Sequence, residues 1–175
     1  MSTAALVEFV DGVAANWHEF SNAWGGAARV WQTLFEKYIP KKSEWDSFLN
    51  AADDGRLWKV CRDERLSEAE RTVYGFCCDD ALVKREDFRR MADALREFAR
   101  QNPVNGVVCH MEGFAKVFDD ASGDAIGLYA TSVGEDPWTT YDDKKDEYAP
   151  YDIRTGSKHW FLFDELEKFG VAKHS

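Results

Sequence analysis

The signatures by which many enzymes are recognised are missing from this 175-residue chain. It contains no C-x-x-C, H-E-x-x-H, G-x-G-x-x-G or G-x-S-x-G pattern, and Gly25-Gly26 is not followed by G-K-[ST]. These absences exclude the local motifs of zinc deaminases, zinc metallopeptidases, nucleotide phosphate loops and α/β-hydrolase elbows. Cysteine is scarce, with only Cys61, Cys77, Cys78 and Cys109. Adjacent Cys77 and Cys78 are a poor start for a disulfide framework, so reduced thiols and a cytoplasmic location are expected. No stretch approaches the ~18 uncharged apolar residues of a membrane span. Glu8 and Asp11 interrupt the apolar N-terminal run, which also lacks the positive charge of a secretory signal.

What the chain does have is negative charge. Lys and Arg number 22 against 32 Asp and Glu, a formal net charge of −10. Such a balance repels nucleic acid and anionic membranes at long range and favours a basic protein partner. Hydrophobic residues at 45% and charged residues at 31% describe a folded chain rather than a disordered one.

The pattern predicts one α+β domain over residues 1–175, with a possible sub-boundary near 105. Its helix-rich N-terminal two-thirds would pack with a small antiparallel sheet from the C-terminal third. Trp17, Trp24, Trp31 and Tyr38 recur every seven residues, and Val13, Phe20, Ala27 and Leu34 form a second column. Seven residues are close to two helical turns, so these columns predict two helices broken near Gly25-Gly26, the second running from Ala27 to Ile39. Ser43 opens another short helix. Ser67-Glu-Ala-Glu70 matches a capping box and should start a helix carrying Val73, Tyr74 and Phe76. The clearest helix runs from Arg85 to Gln101, with Phe88, Met91, Ala92, Leu95, Phe98 and Ala99 on one face. Residues 107–118 read as either strand or helix. Ala125 to Val133 and His159 to Phe163 read as strands, a polar loop lies between Gly134 and Ala149, and a terminal helix is expected near Asp164 to Phe169.

Three groupings are worth testing for chemistry. Cys109-His110-Met111-Glu112 holds an H-x-E fragment but no further zinc ligands, so a buried thiol beside a hydrogen-bonded histidine is expected. Asp119, Asp120 and Asp124 surround Ser122-Gly123 without the order of a calcium loop. Arg85, Arg89, Arg96 and Arg100 form a stripe for which Glu86, Asp93 and Glu97 are the expected partners. No catalytic residue, metal ligand or cofactor is expected from any of them.

The remaining feature is concentrated. Between Gly134 and Asp152 lie seven acidic residues and two lysines, half of the net charge, together with Trp138, Tyr141, Tyr148 and Tyr151. Carboxylates steer the approach of a basic surface while Trp and Tyr offer rigid contact area. Glu135, Asp136, Trp138, Tyr141, Asp142, Asp143, Asp146, Glu147 and Tyr148 are therefore the candidate partner-binding residues. In general character the chain resembles small, acidic, motif-poor proteins that neutralise a toxin or enzyme, such as immunity proteins and viral inhibitors. That resemblance implies a binding protein rather than an enzyme, with a toxin or enzyme as partner, no direct nucleic-acid binding and no membrane association. The competing expectations are a small hydrolase-like enzyme using carboxylates with His110 or His159, and a scaffold or virion component.

Overall fold

Asp11-Gly12 decides how the chain begins. In the computed structural model, Asp11 has φ 52° and Gly12 φ 85°. Left-handed values at both central residues define a two-residue hairpin turn that matches the twist of antiparallel strands. The turn joins β1 (Thr3–Val10) to β2 (Val13–Ser21), with Val10 opposite Val13. The structure describes residues 3–21, 30, 33–34, 36–37, 64–76, 81–132, 139–150 and 160–161. Within them, α1 is Glu68–Phe76, β3 is Ala81–Lys84, α2 is Phe88–Gln101 and α3 is Asn105–Asp120. These are followed by β4 (Ala125–Ser132), β5 (Thr139–Asp142), β6 (Glu147–Pro150) and β7 (Trp160–Phe161).

The class is α+β, but the expected order of elements is overturned. Two sheet strands come from the N-terminus, where the seven-residue spacing predicts helix, and a third lies between α1 and α2. The seven-residue columns misled because they run through different structures. Seven is odd, so such a repeat switches faces along a strand. Val13 and Trp17 on β2 are 39% and 44% exposed rather than part of a helix seam. Within the expected helix from Ala27 to Ile39, Val30, Thr33, Leu34, Glu36 and Lys37 are helical, with Val30 and Leu34 buried, while Trp24, Ala27, Trp31 and Tyr38 lie outside the described residues. Gly25-Gly26, the Ser43 helix and the terminal helix lie outside the described residues.

The main sheet has the order β2-β1-β4-β3-β7. Pairs along it are antiparallel except for β3 with β7. Ala81 is the shared partner of Ala130 on one side and Trp160 on the other. Leu6, Val83 and Leu128 face the helices in the larger core, while Val7, Phe9, Leu82 and Tyr129 form a buried cluster on the opposite face. Alternation along the strands produces this division.

The helices follow the sequence closely. Ser67 Oγ accepts from the Glu70 N–H at 3.1 Å, and the Glu70 carboxylate accepts from the Ser67 N–H at 3.0 Å. This reciprocal pair is the expected capping box. Glu70 is itself buried and also receives Lys37 Nζ at 3.1 Å, which ties the helical residues near 37 to α1. Thr33 and Tyr74 hydroxyls bond at 2.7 Å, and Tyr74 meets Phe98 edge-on. All six apolar residues expected on the α2 face are buried. A short 3₁₀ turn over Arg85–Asp87 precedes α2, and the Asn102 N–H and side-chain amide both donate to the Phe98 carbonyl at its end.

Residues 107–118 resolve as helix. Val107, Met111, Phe114, Ala115 and Phe118 are buried along α3, a helical spacing that pairs α3 with α2. Phe118 meets both Phe76 and Phe88 edge-on. The segment expected to be loop from Gly134 to Ala149 contains the β5–β6 hairpin instead. Trp160 and Phe161 are strand, as expected, within the His159–Phe163 reading. No helix among the described residues is long and apolar enough to cross a membrane.

Two substitutions check this architecture by chemical denaturation. Leu95→Ala, at a fully buried site of α2, is expected to lose about 2–5 kcal/mol. Gly12→Ala, which forces a Cβ into the left-handed region, is expected to lose about 1–2 kcal/mol.

Candidate functional site

The acidic segment forms its own two-stranded sheet. Register pairs Thr139 with Pro150, Thr140 with Ala149, Tyr141 with Tyr148 and Asp142 with Glu147. Asp143-Lys144-Lys145-Asp146 connects the strands, and Asp146 closes it with φ 56°, a conformation that Asp tolerates better than most residues. Residues 143–147 are all exposed. The hairpin thus brings six of the nine candidate residues together: Tyr141, Asp142, Asp143, Asp146, Glu147 and Tyr148. Glu135, Asp136 and Trp138 lie outside the described residues, as does His159.

The register also sets two acidic residues across from one another. Asp142 and Glu147 occupy one cross-strand position. Like charges in that relation destabilise a sheet pair, whereas opposite charges stabilise it. Lys144 and Lys145 sit in the connection, so the acids are not the whole of its charge.

The arginine stripe is divided among different tasks. Arg100 bonds Glu97 on its own helix, as expected. Arg96 turns instead to α3, where Glu112 at 3.2 Å and Asp119 receive it. Arg85 donates to the Ser122 and Ala125 carbonyls, the latter at 3.0 Å, and lies over the Phe88 ring. Arg90, outside the stripe, reaches Glu68 at 3.3 Å. Arg89 is exposed on α2. A helix-to-helix contact thus takes Arg96 away from the pairs expected within α2, and backbone carbonyls take Arg85.

Cys109 is exposed, which corrects the expectation of a buried thiol. The α3 periodicity points Val107 and Met111 inward and leaves position 109 outside. His110 meets Phe114 edge-on, and burial lowers its pKa. Asp119 and Asp120 end α3, where they pair with Arg96 and Lys116. No group of three or more His, Cys, Asp or Glu suited to a metal exists among the described residues.

Sequence reasoning missed a buried carboxylate. Glu8, only 2% exposed, lies on the helix-facing side of β1, opposite Asn16 on β2 and Leu128 on β4. Asn16 Nδ2 donates to it at 2.9 Å, His18 Nε2 stands at 3.0 Å and the Ser122 N–H donates at 3.4 Å. Burial pushes the carboxyl pKa up, but hydrogen bonds from Asn16, His18 and Ser122, with the charge of His18, bring it below its ordinary value. The pair His18–Glu8 joins a buried acceptor to a partly exposed imidazole, an arrangement that fixes ring orientation. The Asp11-Gly12 turn by itself would set Glu8 opposite Ala15, and an irregularity in register between Glu8 and Phe9 moves its partner to Asn16, so the turn was only part of the signal.

Comparison with protein-family models, curated proteins and solved structures returns no match.

Glu8→Ala is expected to cost about 1–3 kcal/mol, because it leaves the buried donors around it unpaired. Because the folded pKa of Glu8 is lowered, its stabilisation is present above the unfolded value near 4.5 and is lost as pH falls through the folded value. His110 has the same acid-side sign: its lowered folded pKa makes stability fall once pH drops below about 6.5. Denaturation midpoints measured from pH 7 to pH 3 should decline, and the low-pH part of that decline should shrink in Glu8→Gln.

Proposed function

We propose that this protein is an acidic binding protein that neutralises or regulates a basic protein partner, in the manner of an immunity protein or inhibitor. The observation that carries the reading is the β5–β6 hairpin, with Asp142 opposite Glu147 and an exposed connection at residues 143–147. A cationic surface would find acidic residues on both strands and in the exposed connection of this hairpin, which suits electrostatic steering of a basic partner. Tyr141 and Tyr148, paired at the adjacent register position, supply the residue types that anchor protein interfaces. Glu135, Asp136 and Trp138 belong to the same proposed surface by sequence proximity. The partner is a toxin or enzyme whose working surface is basic, and the site of action is the cytoplasm.

A second reading is favoured by the Glu8–His18 bond. A carboxylate that orients an imidazole is the supporting half of a general-base site, which suits a small hydrolase-like enzyme. That reading moves the histidine from His110 or His159 to His18.

With a basic partner recovered by affinity capture, stopped-flow mixing separates the two. Neutralising Asp142, Asp143, Asp146 and Glu147 together is expected to slow association about tenfold or more at low salt, with the difference shrinking as salt rises. An unchanged association rate would remove the hairpin from the binding surface. Loss of a hydrolytic activity in His18→Ala, with folding retained, would favour the enzyme.

A further inference from the structure

β2 is an outer strand of the main sheet, since the order β2-β1-β4-β3-β7 leaves no described strand on its far side. Its free backbone groups follow from the hairpin. Val10 and Val13 flank a two-residue turn and so form a hydrogen-bonded pair. Alternation along β1 then makes Glu8, Leu6 and Ala4 bond to Asn16, His18 and Phe20. The N–H and C=O groups of Trp17, Glu19 and Ser21 therefore point away from β1, and no described strand takes them. Ala15 is the extra residue of the register shift beside Glu8, so the regular edge begins past it.

Exposed sheet edges are usually guarded by lysine, proline or a covering segment. Residues 13–21 contain no lysine, arginine or proline, and Glu19 is their one acid. Val13, Ala15, Asn16 and Trp17 are all exposed. A strand so nearly neutral offers little to a cationic segment, which the acids of residues 134–152 would attract instead. Its match is a strand equally short of charge, and a second copy carries one. We propose that two copies of this chain pair antiparallel along β2, joining their sheets about a two-fold axis at His18. In that register Trp17 faces the partner's Glu19, and each such pair exchanges its backbone hydrogen bonds. No acid stands opposite an acid, whereas an axis at Glu19 would set two together. The two Trp17 residues become diagonal neighbours, within reach of aromatic contact. The other outer strand, β7, has two residues, so the pairing closes as a dimer rather than extending. This interface is separate from the β5–β6 hairpin, and salt tells the two apart.

The test is sedimentation equilibrium of the full chain from micromolar to millimolar concentration, with amide hydrogen exchange read by NMR at both ends. A monomer–dimer equilibrium is expected. Because two acidic molecules repel, raising salt should tighten it about tenfold, the reverse of docking on a basic partner. On dimerisation the Trp17 and Glu19 amides should slow at least about tenfold, while those of Asn16 and His18, already bonded to β1, change little. Trp17→Glu, at an exposed position, sets acid against the partner's Glu19 and should weaken the dimer about tenfold. Adding Glu19→Lys to that variant should restore it. A monomer at every concentration overturns the proposal. So does a dimer whose Trp17 and Glu19 amides exchange as in the dilute chain, slow exchange of those amides in the dilute chain itself, or failure of Glu19→Lys to rescue Trp17→Glu.

Discussion

The register of the β1–β2 hairpin is the constraint on which much else depends. A two-residue turn leaves little freedom in pairing, and side chains alternate along a strand. With Val10 opposite Val13, Leu6 and Glu8 face the helices while Val7 and Phe9 enter the opposite cluster. A slip of one residue would put Glu8 among Leu82 and Tyr129 and remove its contacts with Asn16, His18 and Ser122. The same register carries into β4, since β1 pairs with both β2 and β4. The turn, together with the register shifts beside Phe9 against both neighbours, therefore positions a buried charge and orders the centre of the sheet.

The polar contacts make the helical layer more than an apolar packing. Glu70 caps α1 and also receives Lys37, while Gln101 at the far end of α2 accepts from Ser67 Oγ at 2.6 Å. Helix termini are where backbone groups lack partners, so these side chains act where they are most needed. Arg96 does the equivalent between the middles of α2 and α3. Most of these pairs are exposed or partly so, and each contributes little alone. Their common effect is to restrict how the helices slide over the aromatic cluster of Phe76, Phe88, Phe114 and Phe118.

How legible each part was depended on how local its determinants were. The Ser67–Glu70 capping box and the six-residue face of α2 are visible because every participant lies within a few turns of chain. The N-terminal strands were harder, because the recurrence of Trp17, Trp24, Trp31 and Tyr38 is regular without belonging to a single element. Asp11-Gly12 was the stronger signal, as both residues adopt left-handed conformations that few others allow. The acidity of residues 134–152 was plain, but the pairing of Asp142 with Glu147 required the hairpin. The setting of Glu8 depends on a register shift beside Phe9 and on the N–H of Ser122 far along the chain, which spacing in the sequence does not reveal.

Ala81 pairs with Ala130 on one flank and with Trp160 on the other. Two strand spacings are about 10 Å, so the excursion that carries the acidic hairpin leaves and rejoins the sheet at nearly the same place. Such a loop is closed by the sheet whatever its length, and doubling it costs only about 0.6 kcal/mol in closure entropy. The hairpin can accordingly be regarded as a cassette. Its charge, length and aromatic content are free to diverge, or to be exchanged by an engineer, while the pairing of β3 with β4 and β7 stays the same.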